Sequence, residues 1–90
     1  MKRVKLVVHG RVQGVGYRDF VRITAQKLNI AGYVKNLVNR TAEIVAEGEE
    51  SKLKVFVREC KRGSLMSRIE GVDESYEEPT GEFEYFLIEY

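Results

Sequence analysis

Three glycines and an arginine stand close together in the segment His9-Gly10-Arg11-Val12-Gln13-Gly14-Val15-Gly16-Tyr17-Arg18. A strand-like run precedes this segment and a helix-like run follows it, so its backbone N–H groups point outward where a helix begins. Glycine lets such a turn approach a ligand closely, and an arginine offers a planar cation that matches two phosphate oxygens. The segment is therefore a candidate site for a phosphate-sized anion, with backbone donors from Gln13, Gly14, Val15, Gly16, Tyr17 and Arg18.

The motif differs from two well-known nucleotide loops. No Gly-Lys-Ser/Thr follows the glycines, and the third glycine of the dinucleotide-binding fingerprint is missing. The residues alone leave two interpretations open: an anion-binding loop, or a glycine-rich turn followed by a surface arginine.

Asn36 is the second polar residue that is a candidate for a role in chemistry. It follows Val34 at the spacing of a strand, so both side chains share one face of a sheet. An amide among apolar neighbours needs hydrogen-bond partners, because an unsatisfied polar group costs about 1–3 kcal/mol. Either Asn36 bonds to the adjoining turn, or it converges with Arg18 on one pocket and holds a water molecule.

Composition limits the classes of function. The 90 residues predict a single domain, residues 1–90, and 43% hydrophobic residues are typical of a folded chain. Cys60 is the only cysteine and no Cys/His cluster is present, so we expect no intrachain disulfide, no metal site and a reducing, cytoplasmic location. No apolar run is long enough to predict a membrane span.

Charge is unevenly distributed. Residues 1–45 carry nine basic and two acidic residues, whereas residues 46–90 carry six and twelve, so the halves have charges of +7 and −6. The basic half favours a small anionic ligand, and the net charge of +1 disfavours strong nucleic-acid binding. Exposed sheet edges leave dimerisation open, with a monomer favoured.

The periodicity of apolar residues predicts the elements that must position these side chains. The first half of the chain is predicted to form a strand at 4–8, a helix at 19–29, and a hairpin of strands 33–38 and 42–47 with Asn39-Arg40 in its turn. The second half is predicted to form a helix that begins at the N-cap Ser51 and ends at Gly63, a weaker strand at 69–76 and a final strand at 83–90. This order predicts an α+β fold of the ferredoxin-like, split βαβ type. We expect an antiparallel sheet of four to five strands with two helices on one face, and a first helix that leads to a parallel neighbour of the first strand.

The segment from Val8 to Arg18, followed by Gly32-Tyr33-Val34-Lys35-Asn36, Glu43-Ile44 and Gly48, resembles the acylphosphatase family over nearly the whole chain. The resemblance implies hydrolysis of the carboxyl-phosphate bond of acyl phosphates without metal or cofactor. It also implies that Arg18 and the loop amides bind the phosphate and that Asn36 positions the attacking water. The chain departs from the family at its hairpin turn, where glycine is usual and where Asn39 is expected to accept a left-handed conformation.

A site with so few functional groups is sufficient for hydrolysis of an acyl phosphate. The leaving carboxylate has a conjugate acid with a pKa near 4, by analogy with Asp and Glu, so its departure needs no general acid. His9, the only histidine, is expected to be structural or superficial. The alternatives are an anion-sensing module without turnover, or a nucleic-acid-binding module that uses Tyr33 and Lys35.

Overall fold

Strands and helices alternate along the chain, and the computed structural model describes all residues from Met1 to Tyr90. The elements are β1 (Lys2–Arg11), α1 (Tyr17–Lys27), β2 (Ala31–Asn36), β3 (Ala42–Gly48), α2 (Glu50–Arg62), β4 (Arg68–Glu77) and β5 (Phe86–Glu89). All five predicted strands and both predicted helices are present. None of the helices is long and apolar enough to cross a membrane.

The strands form one sheet in the order β4-β1-β3-β2-β5. The β1–β3, β1–β4 and β2–β3 pairs are antiparallel, and only β2 and β5 pair in parallel. This arrangement confirms the ferredoxin-like α+β fold. The expectation that the first helix leads to a parallel neighbour of β1 was wrong, because β3 lies between β1 and β2. β3 is the most buried strand, so the central position gives it the largest stabilisation from burial of apolar surface.

Both helices pack against the same face of the sheet and share one core with it. The inward residues of β1 are fully buried, and the predicted stripe of α2 is buried with them: Val4, Leu6 and Val8 with Leu53, Phe56, Val57 and Cys60. The Phe56 ring meets Phe86 of β5 edge-on at 5.8 Å between centroids. Burying a side chain of this size contributes about 1.5–3 kcal/mol, so this face holds the sheet and helices together.

Several predicted boundaries shift. Helix α1 begins at Tyr17 rather than residue 19, β2 ends at Asn36 rather than residue 38, and β5 covers only four residues. The prediction of an Ser51 N-cap was wrong, because Glu49 has the extended N-cap conformation and its carbonyl accepts from Leu53 N at 2.9 Å. Ser51 lies inside the first turn and donates its hydroxyl to the Glu49 carboxylate at 2.9 Å.

Residues 78–85, which we call the strap, connect β4 at one edge of the sheet to β5 at the other. The strap crosses the face opposite the helices, where the buried carboxylate of Glu47 anchors it. Thr80 N and Gly81 N donate to this carboxylate at 2.8 and 3.0 Å, and Arg3 donates to it at 3.0 Å. Phe83 of the strap packs against Tyr33 with 6.0 Å between ring centroids.

Candidate active site

The loop between β1 and α1 has the backbone conformation of an anion-binding turn. Gly14 and Gly16 adopt left-handed φ angles of 73° and 78°, which disfavour other residues. A Cβ atom at either position would meet nothing within 4 Å, so it is the conformation that selects glycine here. Gly16 is the N-cap of α1, and no side chain caps the helix. The first N–H groups of α1 are therefore available to an anion, and the helix dipole favours one there.

Arg18 stands in the first turn of α1, beside this loop. Its guanidinium carbon lies 4.8 Å from the centre of the Tyr90 ring, and its Nη1 donates to Glu89 O at 3.4 Å. A cleft of about 130 Å³ is lined by Val12, Gly14, Gly16, Tyr17, Arg18, Asp19, Ile88 and Tyr90. Because a water molecule occupies about 30 Å³ in the liquid, this cleft has room for a phosphoryl group.

Tyr17 anchors the beginning of α1 to the end of α2. Its side chain is buried, and its hydroxyl donates to Cys60 O at 2.8 Å. That carbonyl belongs to the last turn of α2, where backbone acceptors lack partners within the helix. Burial first, and then Cys60, raise the pKa of Tyr17 well above its ordinary value. The phenol is therefore a neutral structural donor.

Asn36 is the last residue of β2, opposite Ala42 of β3. Its Oδ1 is buried and accepts no hydrogen bond from another residue of the protein. The alternative of a bond to the adjoining turn is therefore not observed. The turn uses Asn39 instead, whose Oδ1 accepts from Thr41 Oγ1 at 2.6 Å. A buried acceptor without a protein partner is costly unless another molecule occupies it, which makes Asn36 a candidate binding group.

The fold brings Arg18 and Asn36 to the same end of the sheet, on two sides of Tyr90. Tyr90 lines the cleft that contains Arg18, and it also lines the shallow depression that contains Asn36. The parallel pairing of β2 with β5 accounts for this, because Glu89, which binds Arg18, pairs with Lys35 next to Asn36. Sequence reasoning missed Tyr90, since its role depends on that pairing.

The Gln13 side chain was also missed, because only its backbone had been assigned to the loop. Its Nε2 donates to Leu37 O at 2.9 Å and to Thr41 O at 3.0 Å, so it connects the loop to the turn that follows Asn36. This contact could be predicted only from the strand order, which places the end of β1 beside that turn. The strand order cannot be deduced from the individual elements of the sequence.

The remaining polar groups lie outside this site. His9 Nε2 is 2.8 Å from Asp73 Oδ2 on the surface, as expected for a structural or superficial histidine. No group of three or more His, Cys, Asp or Glu residues is arranged to hold a metal ion. The largest concavity, of about 690 Å³, lies at the opposite end of β1 and contains neither loop nor Asn36.

Comparison with known proteins identifies the family of this chain. The family model for acylphosphatases matches residues 4–88. An acylphosphatase from Thermus thermophilus is 41% identical over 81 residues, which cover 90% of this chain and 92% of that protein. One from Methylococcus capsulatus is 40% identical over 88 residues, 98% of this chain and 96% of that protein. The crystal structure of an acylphosphatase from Bacillus subtilis superposes with a TM-score of 0.96 at 39% identity, covering 100% of both chains. The family model, the sequence identities and the fold agree, and the chain belongs to the acylphosphatase family.

Proposed function

We propose that this protein hydrolyses acyl phosphates to a carboxylate and inorganic phosphate, with Arg18 and the loop amides as phosphate ligands and Asn36 as the group that positions water. The observation that carries the proposal is the uncapped start of α1, with two left-handed glycines before it and Arg18 beside it. Membership of the acylphosphatase family supports the same activity.

Phosphate binding is the task of the loop and Arg18. The amides of residues 13–18 and the start of α1 present donors and partial positive charge to the phosphoryl oxygens. Arg18 adds a full positive charge in a fork that matches two of those oxygens. Fixed donors of this kind stabilise the charge that the phosphoryl group carries in the transition state.

Water positioning is the task of Asn36. Its Oδ1, which has no partner in the protein, accepts a hydrogen bond from the water and directs the water's lone pair at phosphorus. The new P–O bond forms as the bond to the carboxylate oxygen breaks, and the bonding electrons leave with the carboxylate. The water's protons pass to solvent and to the phosphate product. A carboxylate with a conjugate-acid pKa near 4 leaves without protonation.

The test is hydrolysis of benzoyl phosphate by the purified chain and its variants. Arg18→Ala is expected to lower kcat/KM by more than about 100-fold and to weaken the binding of inorganic phosphate. Asn36→Ala is expected to lower kcat by a similar factor but to change the Kd of phosphate by less than about threefold. Arg58→Ala, at an exposed position of α2 outside this cleft, is the matched control and should keep full activity.

Two outcomes contradict this proposal. A folded wild type without turnover excludes the hydrolase and leaves an anion-sensing module. Equal loss of phosphate binding in Arg18→Ala and Asn36→Ala excludes the division of roles between them.

The nucleic-acid alternative has less support. The Tyr33 ring packs against Phe83, and the Lys35 amine lies 5.6 Å from the Tyr33 ring and 3.6 Å from a Glu43 carboxylate oxygen. Both groups are therefore engaged within the protein instead of forming a free stacking platform. Salt-dependent binding of a single-stranded oligonucleotide would favour this alternative over the hydrolase.

We also propose that residues 1–90 act as one domain, in the cytoplasm, without metal or cofactor. Burial raises the pKa of the Cys60 thiol, and a free buried thiol suits a reducing compartment. Activity is expected to be unchanged by a chelator such as EDTA. Inactivation by the chelator that added metal reverses would contradict metal independence, and recovery in a secreted fraction would contradict the location.

A further inference from the structure

The side chain of Gln13 connects two segments that are far apart in the sequence. Its Nε2 donates to Leu37 O at 2.9 Å and to Thr41 O at 3.0 Å, so both amide N–H groups are used. Both acceptors are backbone carbonyls in the turn between β2 and β3. Two donors from one side chain fix the distance and the orientation of that turn relative to the loop.

The two carbonyls that Gln13 binds also close the turn. Leu37 N donates to Thr41 O at 2.9 Å, and Arg40 N donates to Leu37 O at 3.2 Å. Leu37 directly follows Asn36, so the orientation of the Leu37 carbonyl is linked through one peptide unit to the position of Asn36. A shift of the turn relative to the loop therefore moves Asn36 relative to Arg18.

We infer that Gln13 is a positioning residue for the reaction, which sets the amide of Asn36 at the correct distance from a phosphoryl group held by the loop. The inference rests on the proposed function, because it assumes phosphate on the loop and water on Asn36. The Gln13 side chain acts through the turn, and it does not touch the reacting atoms. A displacement of about 1 Å between a nucleophile and its target lowers a rate by up to about 100-fold.

Glutamine is the residue type that this position requires. A glutamate has the same shape but no donor when ionised, and its charge would face two carbonyl oxygens. Gln13→Glu therefore removes the connection with little change in volume. Gln13→Met removes the donors without adding charge, and serves as a second variant if Gln13→Glu does not fold. Gln26→Glu makes the same chemical change at an exposed position of α1 and is the matched control.

The first measurement is the hydrolysis of benzoyl phosphate together with the binding of inorganic phosphate. Gln13→Met is expected to lower kcat by about 10- to 100-fold, whereas KM and the Kd of phosphate change by less than about threefold. Gln13→Glu should lower kcat at least as much and also weaken phosphate binding, because it adds a negative charge to the phosphate loop. Gln26→Glu should match the wild type. In Gln13→Met, a purely structural role would lower the fraction of folded protein, which circular dichroism detects, or would weaken phosphate binding in parallel with kcat.

The second measurement is a double-mutant cycle. If Gln13 acts through Asn36, Gln13→Met should lower kcat by less than about twofold in an Asn36→Ala background, because the group that it positions is already absent. Losses of kcat that multiply in the double variant would overturn the inference.

Failure of this inference is distinguishable from failure of the proposed function. A folded but inactive wild type would overturn both. An active wild type whose Gln13→Glu and Gln13→Met variants keep full kcat would overturn the role of Gln13 alone.

Discussion

Arg18 is held in place from two directions before any ligand arrives. The Tyr90 ring lies under its guanidinium at 4.8 Å, and Glu89 O accepts one of its N–H groups. An arginine whose rotamers are already restricted loses less conformational entropy when it binds an anion. We therefore expect the cation–π contact to strengthen the proposed binding of phosphate by Arg18, although Tyr90 itself is not required to touch phosphate.

Tyr90→Ala is expected to raise KM for benzoyl phosphate by about two- to fivefold, which corresponds to the 0.5–1 kcal/mol of an exposed cation–π contact. Because the effect acts on binding, kcat should change little. Tyr90→Phe keeps the ring and is the matched control, measured in the same steady-state assay. If Tyr90→Phe is as impaired as Tyr90→Ala, the ring is not responsible.

Glu47 makes stability depend on pH through the strap. Burial alone would raise the pKa of Glu47, but the N–H groups of Thr80 and Gly81, with Arg3 and the Thr80 hydroxyl, together lower it. A lowered pKa in the folded state means that the ionised carboxylate stabilises the fold above its unfolded pKa. That stabilisation is lost as the pH falls through the folded pKa.

Glu47→Gln is expected to lower the free energy of unfolding by about 1–3 kcal/mol at pH 7. The difference from the wild type should shrink below pH 4.5, the ordinary pKa of glutamate, as the wild-type carboxyl becomes protonated. Urea unfolding between pH 3 and 8, roughly the span over which a carboxylate titrates, measures both values. A difference that stays constant over this range would show that the carboxylate's charge does not hold the strap.

At the scale of the elements, the β2–β3 turn contains a strained residue. Arg40 has a left-handed φ of 70°, whereas the sequence had indicated Asn39 for that conformation. Asn39 instead uses its side chain to brace Thr41. A non-glycine residue in this region costs about 1–2 kcal/mol.

Arg40→Gly is expected to raise the free energy of unfolding by about 0.5–1 kcal/mol, because relief of the strain exceeds the extra chain entropy that glycine loses. The midpoint of urea unfolding measures the change. Arg22→Gly, in the middle of α1, should have the opposite sign and lower stability by about 1 kcal/mol. A destabilised Arg40→Gly would mean that the arginine side chain makes a contribution larger than the strain.

Apolar periodicity predicted all the elements but not all of their ends. Leu37-Val38 extends the strand pattern of β2, yet Val38 is fully exposed in the turn. The aromatic run that begins at Phe83 similarly indicated one long strand, whereas Phe83 belongs to the strap and packs on Tyr33. In both cases an apolar residue looks the same in the sequence whether it continues a strand or covers a surface.

Only those features of the candidate site that depend on residues close together in the sequence were predictable. Gly14, Gly16 and Arg18 are contiguous with a helix start, and the alternation of Val34 with Asn36 indicated the face of the amide. The contacts of Gln13 and Tyr90 depend on which strands become neighbours. Strand order is decided by burial of β3 in the centre of the sheet, which no single segment encodes.

At the scale of the whole molecule, the two oppositely charged halves of the sequence are neutralised against each other. Arg3 of the basic half binds Glu47, Glu77 and Glu82 of the acidic half at 2.9–3.0 Å. Part of the excess positive charge of residues 1–45, which favoured an anionic ligand, is therefore neutralised by ion pairs within the protein. Arg18, which contacts the Tyr90 ring and the Glu89 carbonyl, is not among these ion pairs.

The protein is expected to be a monomer. Strand β4 forms one edge of the sheet, and it exposes the charged side chains of Glu70, Asp73, Glu74 and Glu77; charged residues on an edge strand disfavour pairing with a second copy. Sedimentation equilibrium at low ionic strength should give a mass near 10.4 kDa, independent of protein concentration. A mass that doubles as the concentration rises would contradict this expectation.

The parallel pairing of β5 with β2 has a consequence for biosynthesis. Ile88 and Tyr90, which line the cleft beside Arg18, are synthesised after the loop, Arg18 and Asn36. A nascent chain that already contains the loop, Arg18 and Asn36 still lacks one wall of the cleft. The complete cleft therefore forms only once β5 has been synthesised, after the residues assigned to the chemistry have been made.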